Sequence, residues 1–349
     1  MESSEPPAAD RTPRRRATIR DVALAAGVST SAVSKVLRSA PGVSPQMRGR
    51  VERAIEELNY RPHAGARGMR GTSFTIGVML TEFSSPFQPE VVDGISAQLE
   101  ATPYQEIAIR GGAEPWGQRR SIEALFDRQV DGVIVIAPWT SQAWLEDLGR
   151  DIPTVVVARH GAPRTFDTVV DDDALGAQLI VDHLTRLGHS RIAHTTQPSG
   201  GLRGQYVLSH TERLRGYEAA MRERGLTPDV VETAYTERGG YDAGIALLER
   251  DNRPTAIFAG ADVAALGAVR AAEERGLHVP GDISIAGYDD ITVSGMSRVG
   301  LTTVNQSAHE TGMASARLLL ERIGGRRDPV RHVVTPRLAV RSTTAAPPT

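Results

Sequence analysis

The sequence predicts an α/β chain in two parts: a small all-helical unit at the front, then a two-lobed domain of doubly wound parallel sheets. Three observations carry that prediction. From Thr75 onward, short β-branched runs alternate with helical segments, the order that builds parallel strands with helices on both faces. Before Thr75, apolar residues recur at helical spacing. Charge divides the same way. The first 70 residues hold 13 Lys/Arg against seven Asp/Glu, a net of +6, and the remainder carries −8 under a whole-chain value of −2.

The front unit comes first in the argument. Thr18 to Leu37 reads TIRDVALAAGVSTSAVSKVL. Ile19, Val22, Ala23 and Ala26 share one helical face, and Val33, Val36 and Leu37 share another, so two short amphipathic helices follow. Thr18 and Ser29 each precede a helical run, where a hydroxyl can accept from an otherwise unpaired N–H. Gly27 between them suits a tight left-handed turn. The pattern is a helix-turn-helix. Its second helix presents Thr30, Ser31, Ser34 and Lys35, small hydrogen-bonding groups and the chain's single lysine, as a major-groove reader would. A third helix, Pro45 to Leu58, offers Val51, Ile55 and Leu58 to a mini-core and Arg48, Arg50 and Arg53 to phosphates. Arg11 and Arg14 to Arg16 alone read equally well as a solvated tail.

In the larger part, nine runs read as strands: TIGVML, EIAIR, GVIVIA, PTVVVA, Asp167 to Val170, RIAHTT, VVETAY, AIFAG and DISIAGY. Nine exceed what one compact sheet usually holds. The turn-rich HGAPR at His160 to Arg164 is the natural break between lobes, and a ligand would lie between them at the carboxyl ends of strands.

Composition narrows the chemistry. A chain of 349 residues with 40% hydrophobic content is globular. The absence of cysteine excludes disulfides, thiolate zinc sites and a cysteine nucleophile. His183 and His189 lie six apart, which is not a metal spacing. No G-x-G-x-x-G, P-loop or G-x-S-x-G stands at a strand-to-helix turn, and Gly111-Gly112 and Gly239-Gly240 are isolated pairs. No catalytic residue, metal or cofactor is expected. Met1 to Asp10 lacks the apolar core of a signal peptide, and no stretch has the apolar length of a membrane span. The reading is cytoplasmic, which weighs against a secreted sugar-binding protein of the same two-lobed shape.

DVALAAGVSTSAVSKVL followed by NYRPHAGARGMR resembles the headpiece and hinge of the LacI/GalR family of bacterial regulators, and the resemblance extends over nearly the whole chain. It implies a transcriptional repressor with a periplasmic-binding-protein-like sensor domain. By matched position, Thr30, Ser31 and Lys35 would contact base edges, and Ala32 and Ser34 would pack against DNA or its backbone. Thr18, Ser29, Tyr60, Arg67 and Met69 complete the DNA-binding set. Met69 stands where the family usually has a leucine that wedges into the minor groove. With Gly65 and Gly68 inside it, the hinge would be unfolded away from DNA.

The implied domains are a basic tail (1–16), headpiece (17–61), hinge (62–73), effector-binding and dimerisation domain (74–342) and a tail (343–349). Within 74–342, the first lobe takes 74–160 and 307–325 and the second takes 165–304 and 330–342. The crossings fall near His160 to Arg164, Val304 to Ser307 and Gly324 to Pro329.

The resemblance also places the ligand residues. Arg213 would grip hydroxyls or carboxylates with its planar fork. Asp289 would accept from adjacent sugar hydroxyls or else cap a turn, and Asp262 reads as an N-cap. Ser209 and Gln306 match positions that touch ligand in some members. Phe87 and Trp139 either present flat faces to a sugar or base or belong to the core. Ala261 replaces a common asparagine and Gly239 a common aromatic. Either Tyr235, Trp139 or Tyr241 compensates, or the ligand is not a simple hexose.

The partners implied are a near-palindromic operator duplex, a small sugar-like effector and a second copy of the chain, since one headpiece buries too little surface for tight specific binding. No heptad repeat follows Ser342, so the expectation is a dimer rather than a tetramer. Effector binding would alter the spacing of the two hinges and hence operator affinity.

Overall fold

The computed structural model describes residues 17–37, 40–60, 72–198 and 207–348. The chain divides into two compact units, Met1–Ser73 and Phe74–Thr349.

In the first unit, helix α1 (Ile19–Ala26) starts with a capping box. Thr18 N–H donates to the Asp21 carboxylate at 2.7 Å, and the Thr18 hydroxyl accepts from Asp21 N–H. Gly27 ends the helix at φ +64°, a conformation that would strain any residue with a Cβ. Helix α2 (Thr30–Leu37) is capped by Ser29, whose Oγ accepts from Ala32 N–H at 3.1 Å. Helix α3 (Pro45–Glu57) follows the Ser44 cap, with proline in its first turn. Val22, Val33 and Val51 are fully buried between the three helices, with Ala54 and Tyr60 beside them. Leu37 and Leu58, read from sequence as core, are each 37% exposed.

The second unit holds two six-stranded sheets. The first is ordered β13-β6-β4-β3-β1-β2. Its strands β1 (Thr75–Leu80), β2 (Gln105–Arg110), β3 (Gly132–Ile136), β4 (Thr154–Val157), β6 (Asp167–Asp171) and β13 (Arg331–Val334) are all parallel. Because side chains alternate along a strand, Ile76, Val78 and Leu80 join the core on one face, while Met79 enters the core on the other. Helices α4 (Phe87–Leu99) and α11 (Ala308–Ile323) cover the first face, and α5 (Pro115–Phe126) and α6 (Gln142–Asp151) cover the second.

The second sheet is ordered β14-β12-β11-β10-β7-β9. It comprises β7 (Ile192–Thr196), β9 (Asp229–Glu232), β10 (Ala256–Ala259), β11 (Ser284–Asp289) and β12 (Thr302–Asn305), with β14 (Arg337–Ala339) antiparallel at its edge. Helices α7 (Asp173–Arg186) and α8 (Ser209–Glu223) pack on one face, and α9 (Glu237–Leu248) and α10 (Asp262–Glu274) on the other. A short antiparallel pair, β5 (Arg159–His160) with β8 (Val207–Leu208), links the lobes.

Two lobe boundaries differ from the sequence reading. The run at Asp167 belongs to the first sheet, where Val156 pairs with Thr168, so HGAPR is a turn within one lobe and the first crossing lies at Asp172. Residues Arg331–Val334, assigned from sequence to the second lobe, also join the first sheet, beside β6, and the third crossing moves to Thr335 and Pro336. A Gly/Pro cluster marks a turn, but the identity of the receiving sheet is settled by long-range pairing. Nor is the C-terminal segment a free tail. Ile285 N–H donates to the Thr343 carbonyl at 2.8 Å, and Ala345 N–H donates to Ser284 Oγ at 3.0 Å.

Helices α4 and α11 approach closely enough that a Cβ on Gly312 would lie 2.0 Å from the Val91 carbonyl oxygen. Gly312→Ala must therefore push the helices apart. Overpacking of this kind costs about 1–3 kcal/mol, to be read as a lower midpoint in thermal unfolding, whereas an unchanged midpoint would contradict this packing.

Candidate functional site

Two surfaces concern function. On the headpiece, Thr30, Ser31 and Lys35 are exposed along α2, and Ala32 and Ser34 are partly covered. Ser29 caps the reading helix α2 and Thr18 caps α1. Tyr60, placed by resemblance at the DNA surface, packs into the mini-core at 6% exposure. Arg67 and Met69, and with them the hinge, lie outside the described residues.

The second surface is a cleft of about 800 Å³, its open mouth included, between the two sheets of the larger unit. Its walls are the segments that leave the carboxyl ends of strands, as an α/β ligand site requires. From the first lobe come Phe87 after β1, Trp139 after β3 and Ala158 after β4. The second lobe contributes Ser209, His210 and Arg213 on α8, Tyr235 after β9, Ala261 after β10, Asp289 at the end of β11 and Gln306 after β12. All six residues singled out from sequence thus line one space: Phe87, Trp139, Ser209, Arg213, Asp289 and Gln306. Phe87 does double duty, since it is also part of the first lobe's core. Tyr235 lines the cleft. Tyr241 does not; its hydroxyl donates to Glu274 at 2.7 Å, under the Arg270 guanidinium.

At the back of the cleft lies a buried ionic network. Arg213, 3% exposed, donates to the Asp173 carboxylate at 2.8 Å and to the Gly260 carbonyl, and its guanidinium lies 3.5 Å from the centre of the Tyr288 ring. Asp173 also meets His160 Nε2 at 2.8 Å. Burial by itself would raise Asp173, but the Arg213 charge and the His160 hydrogen bond outweigh it and hold the carboxyl below its usual value. The neighbouring Asp171 goes the other way. Burial and the Asp173 charge raise it well above the ordinary range, and it accepts from Tyr288 Oη at 2.6 Å. His160, Asp171 and Asp173 lie within 4.8 Å of one another, a grouping of metal-binding type, but each already has a protein partner.

Asp289 ends β11 at φ +128° and accepts from the Gln306 amide. A non-glycine residue held there costs about 1–3 kcal/mol, a strain met most often at ligand sites. Burial, with Asp262 nearby, raises its carboxyl well above the usual range. Asp262 is not the N-cap read from sequence. Ala261 holds that position with no side-chain bond, and the Asp262 carboxylate instead accepts from Ile291 N–H at 3.0 Å and Ser294 Oγ at 2.6 Å, pinning the loop after β11. The sequence reading missed Asp173 and Tyr288, which hold Arg213, and His210, which lines the cleft. Only the acidic run at 171–173, placed just after a strand, could have flagged the first.

With that geometry in hand, the likenesses to known proteins have a structural meaning. Residues 18–63 match the bacterial regulatory proteins of the lacI family, and residues 181–344 match the periplasmic binding protein-like domain. The ribose operon repressor of Escherichia coli (strain K12) is 35% identical over 313 residues, spanning 88% of this chain and 93% of that protein. The lac repressor dimer bound to operator and the anti-inducer ONPF superposes with a TM-score of 0.81 at 27% identity, over 95% of this chain and 100% of that one. A LacI family transcriptional regulator from Enterococcus faecium with bound ribose gives 0.69 at 28% identity, over 78% and 99%. The chain belongs to the LacI family of bacterial transcriptional regulators and is not an enzyme. No helix among the described residues is long and apolar enough to cross a membrane.

Arg213→Ala leaves Asp173 buried without its cation, a loss of about 3–5 kcal/mol; urea unfolding should show it, and Asp173→Asn combined with Arg213→Met should recover much of it. His194 is fully buried between Tyr217 and Phe258, its Nδ1–H donating to the Phe258 carbonyl at 3.0 Å, and burial lowers its pKa to about 3. The unfolded chain takes up this proton near pH 6.5 and the folded chain does not, so its contribution is complete above pH 6.5 and is lost as pH falls toward 3. His194→Phe should make the fall in unfolding free energy between pH 6 and 4 shallower by about 1.4 kcal/mol per pH unit.

Proposed function

We propose that this chain is a homodimeric repressor that reads a near-palindromic operator with α2 and senses a sugar-like molecule in the cleft. Thr30, Ser31 and Lys35 reach base edges in the major groove, with Ala32 and Ser34 against the DNA. Phe87, Trp139, Ser209, Arg213, Asp289 and Gln306 hold the effector. Ligand between the lobes biases their closure, and a coupling of about 1–3 kcal/mol gives several-fold to hundred-fold control of affinity. A regulator that acts on operator DNA works in the bacterial cytoplasm.

The observation that carries this reading is the convergence of six separated residues on one cleft at the carboxyl ends of both sheets, in a chain whose front unit exposes a polar, lysine-bearing helix. The ribose named with two similar proteins supports the sugar class. The test is selection of bound duplexes from a randomised pool, followed by fluorescence anisotropy at two salt concentrations. A palindrome should emerge, with affinity falling steeply as salt rises, and Lys35→Ala should weaken the selected site by about 1–3 kcal/mol. A folded dimer that enriches no sequence would sink the proposal.

A further inference from the structure

His210 belongs to neither surface as the sequence described it. It sits in the opening turn of α8, lines the cleft and is 5% exposed. Its ring stacks on Trp139 from the opposite lobe, with 6.0 Å between centroids and 20° between planes. Its Nε2 has no hydrogen-bond partner among the described residues. A buried polar atom left without a partner calls for an explanation, and here the atom belongs to a cavity-lining side chain.

The charge of the cleft bears on what that partner is. The Arg213 cation is matched by Asp173 at 2.8 Å, with both side chains at most 4% exposed. Among the described residues the cleft therefore offers no uncompensated cation to an anion, and Glu82 adds a carboxylate to its lining. We infer that the cleft takes a neutral polyhydroxylated molecule and that His210 is a specificity-determining residue, its Nε2 hydrogen-bonding one ligand hydroxyl while Trp139 holds the imidazole in place. This rests on the reading of the cleft as the effector site. Burial and the nearby Arg213 lower the His210 pKa to about 4, so the ring is neutral at physiological pH. A hydroxyl can both donate and accept, and it satisfies either tautomer.

The experiment is calorimetric titration of the full chain with D-ribose, D-xylose, D-glucose and D-galactose, with inorganic phosphate as the anionic probe. The sugar that binds best is then tested, with its monodeoxy analogues, against His210→Phe and His210→Gln. Phe keeps a ring against Trp139 and removes the nitrogen; Gln keeps a hydrogen-bonding group near the same place. The inference expects His210→Phe to raise Kd at least tenfold and His210→Gln less than threefold. It also expects one deoxy analogue to bind wild type at least tenfold more weakly than the parent sugar, yet to lose nothing further in His210→Phe, the coupling a direct contact produces. Sugar binding that is unchanged in His210→Phe, or a loss shared equally by every analogue, would overturn the role of His210 while leaving the effector site standing. Phosphate binding tighter than any sugar would overturn the neutral ligand, and failure of all five probes to bind wild type would remove both the sugar-sensing reading and this one.

Discussion

A guanidinium without water around it must be neutralised where it lies, and the Arg213–Asp173 pair at 2.8 Å does this at the meeting point of the two lobes. The surrounding architecture is arranged to permit it. Tyr288 lends its ring face to the cation and its hydroxyl to Asp171. Gly176 leaves room for that hydroxyl, since a Cβ there would stand 2.3 Å from it. Two carboxylates so close together cannot share one protonation state cheaply. Asp173 is held ionised by Arg213, and Asp171 is pushed toward its neutral form.

The position of these acids in the chain gives the pair its structural reach. Asp171 ends the last strand laid down before the chain leaves the first lobe, and Asp173 begins the first helix of the second. Both are tied to second-lobe groups, Asp171 to Tyr288 on β11 and Asp173 to Arg213 on α8. The first crossing at Asp172 is therefore clamped on both sides. Cleft residues brought in by α8 keep their place relative to the sheet that carries Asp289. The strained φ at Asp289 and its bond to Gln306, next to the second crossing, repeat the arrangement on the other side of the cleft.

Much of this was legible in residue order. The helix-turn-helix declares itself through local chemistry, in a capping hydroxyl at Thr18, a left-handed turn at Gly27, another cap at Ser29 and valines at helical spacing between them. The β-branched runs declare the strands for a similar reason, since their alternate residues fill the cores on both faces of a parallel sheet. Reading failed where the information was non-local. Thr302–Asn305 and Arg331–Val334 are short and partly polar, and they become strands only because a formed sheet offers them an edge. Tyr60, assigned by resemblance to the DNA surface, is buried in the headpiece core.

The sequence by itself determined the headpiece helices and the β-branched strands, that a basic helical unit precedes an acidic α/β one, and which six side chains belong to the cleft by resemblance. Caps, turns and periodicity act over a few residues, so they survive in one dimension. Tertiary structure alone decided which sheet receives Asp167–Asp171 and Arg331–Val334, which groups bond to Asp262, that His210 lines the cleft and that Asp173 and Tyr288 hold Arg213. Those outcomes depend on groups tens to more than a hundred residues apart being brought within hydrogen-bonding or stacking distance, and on water being removed from between them.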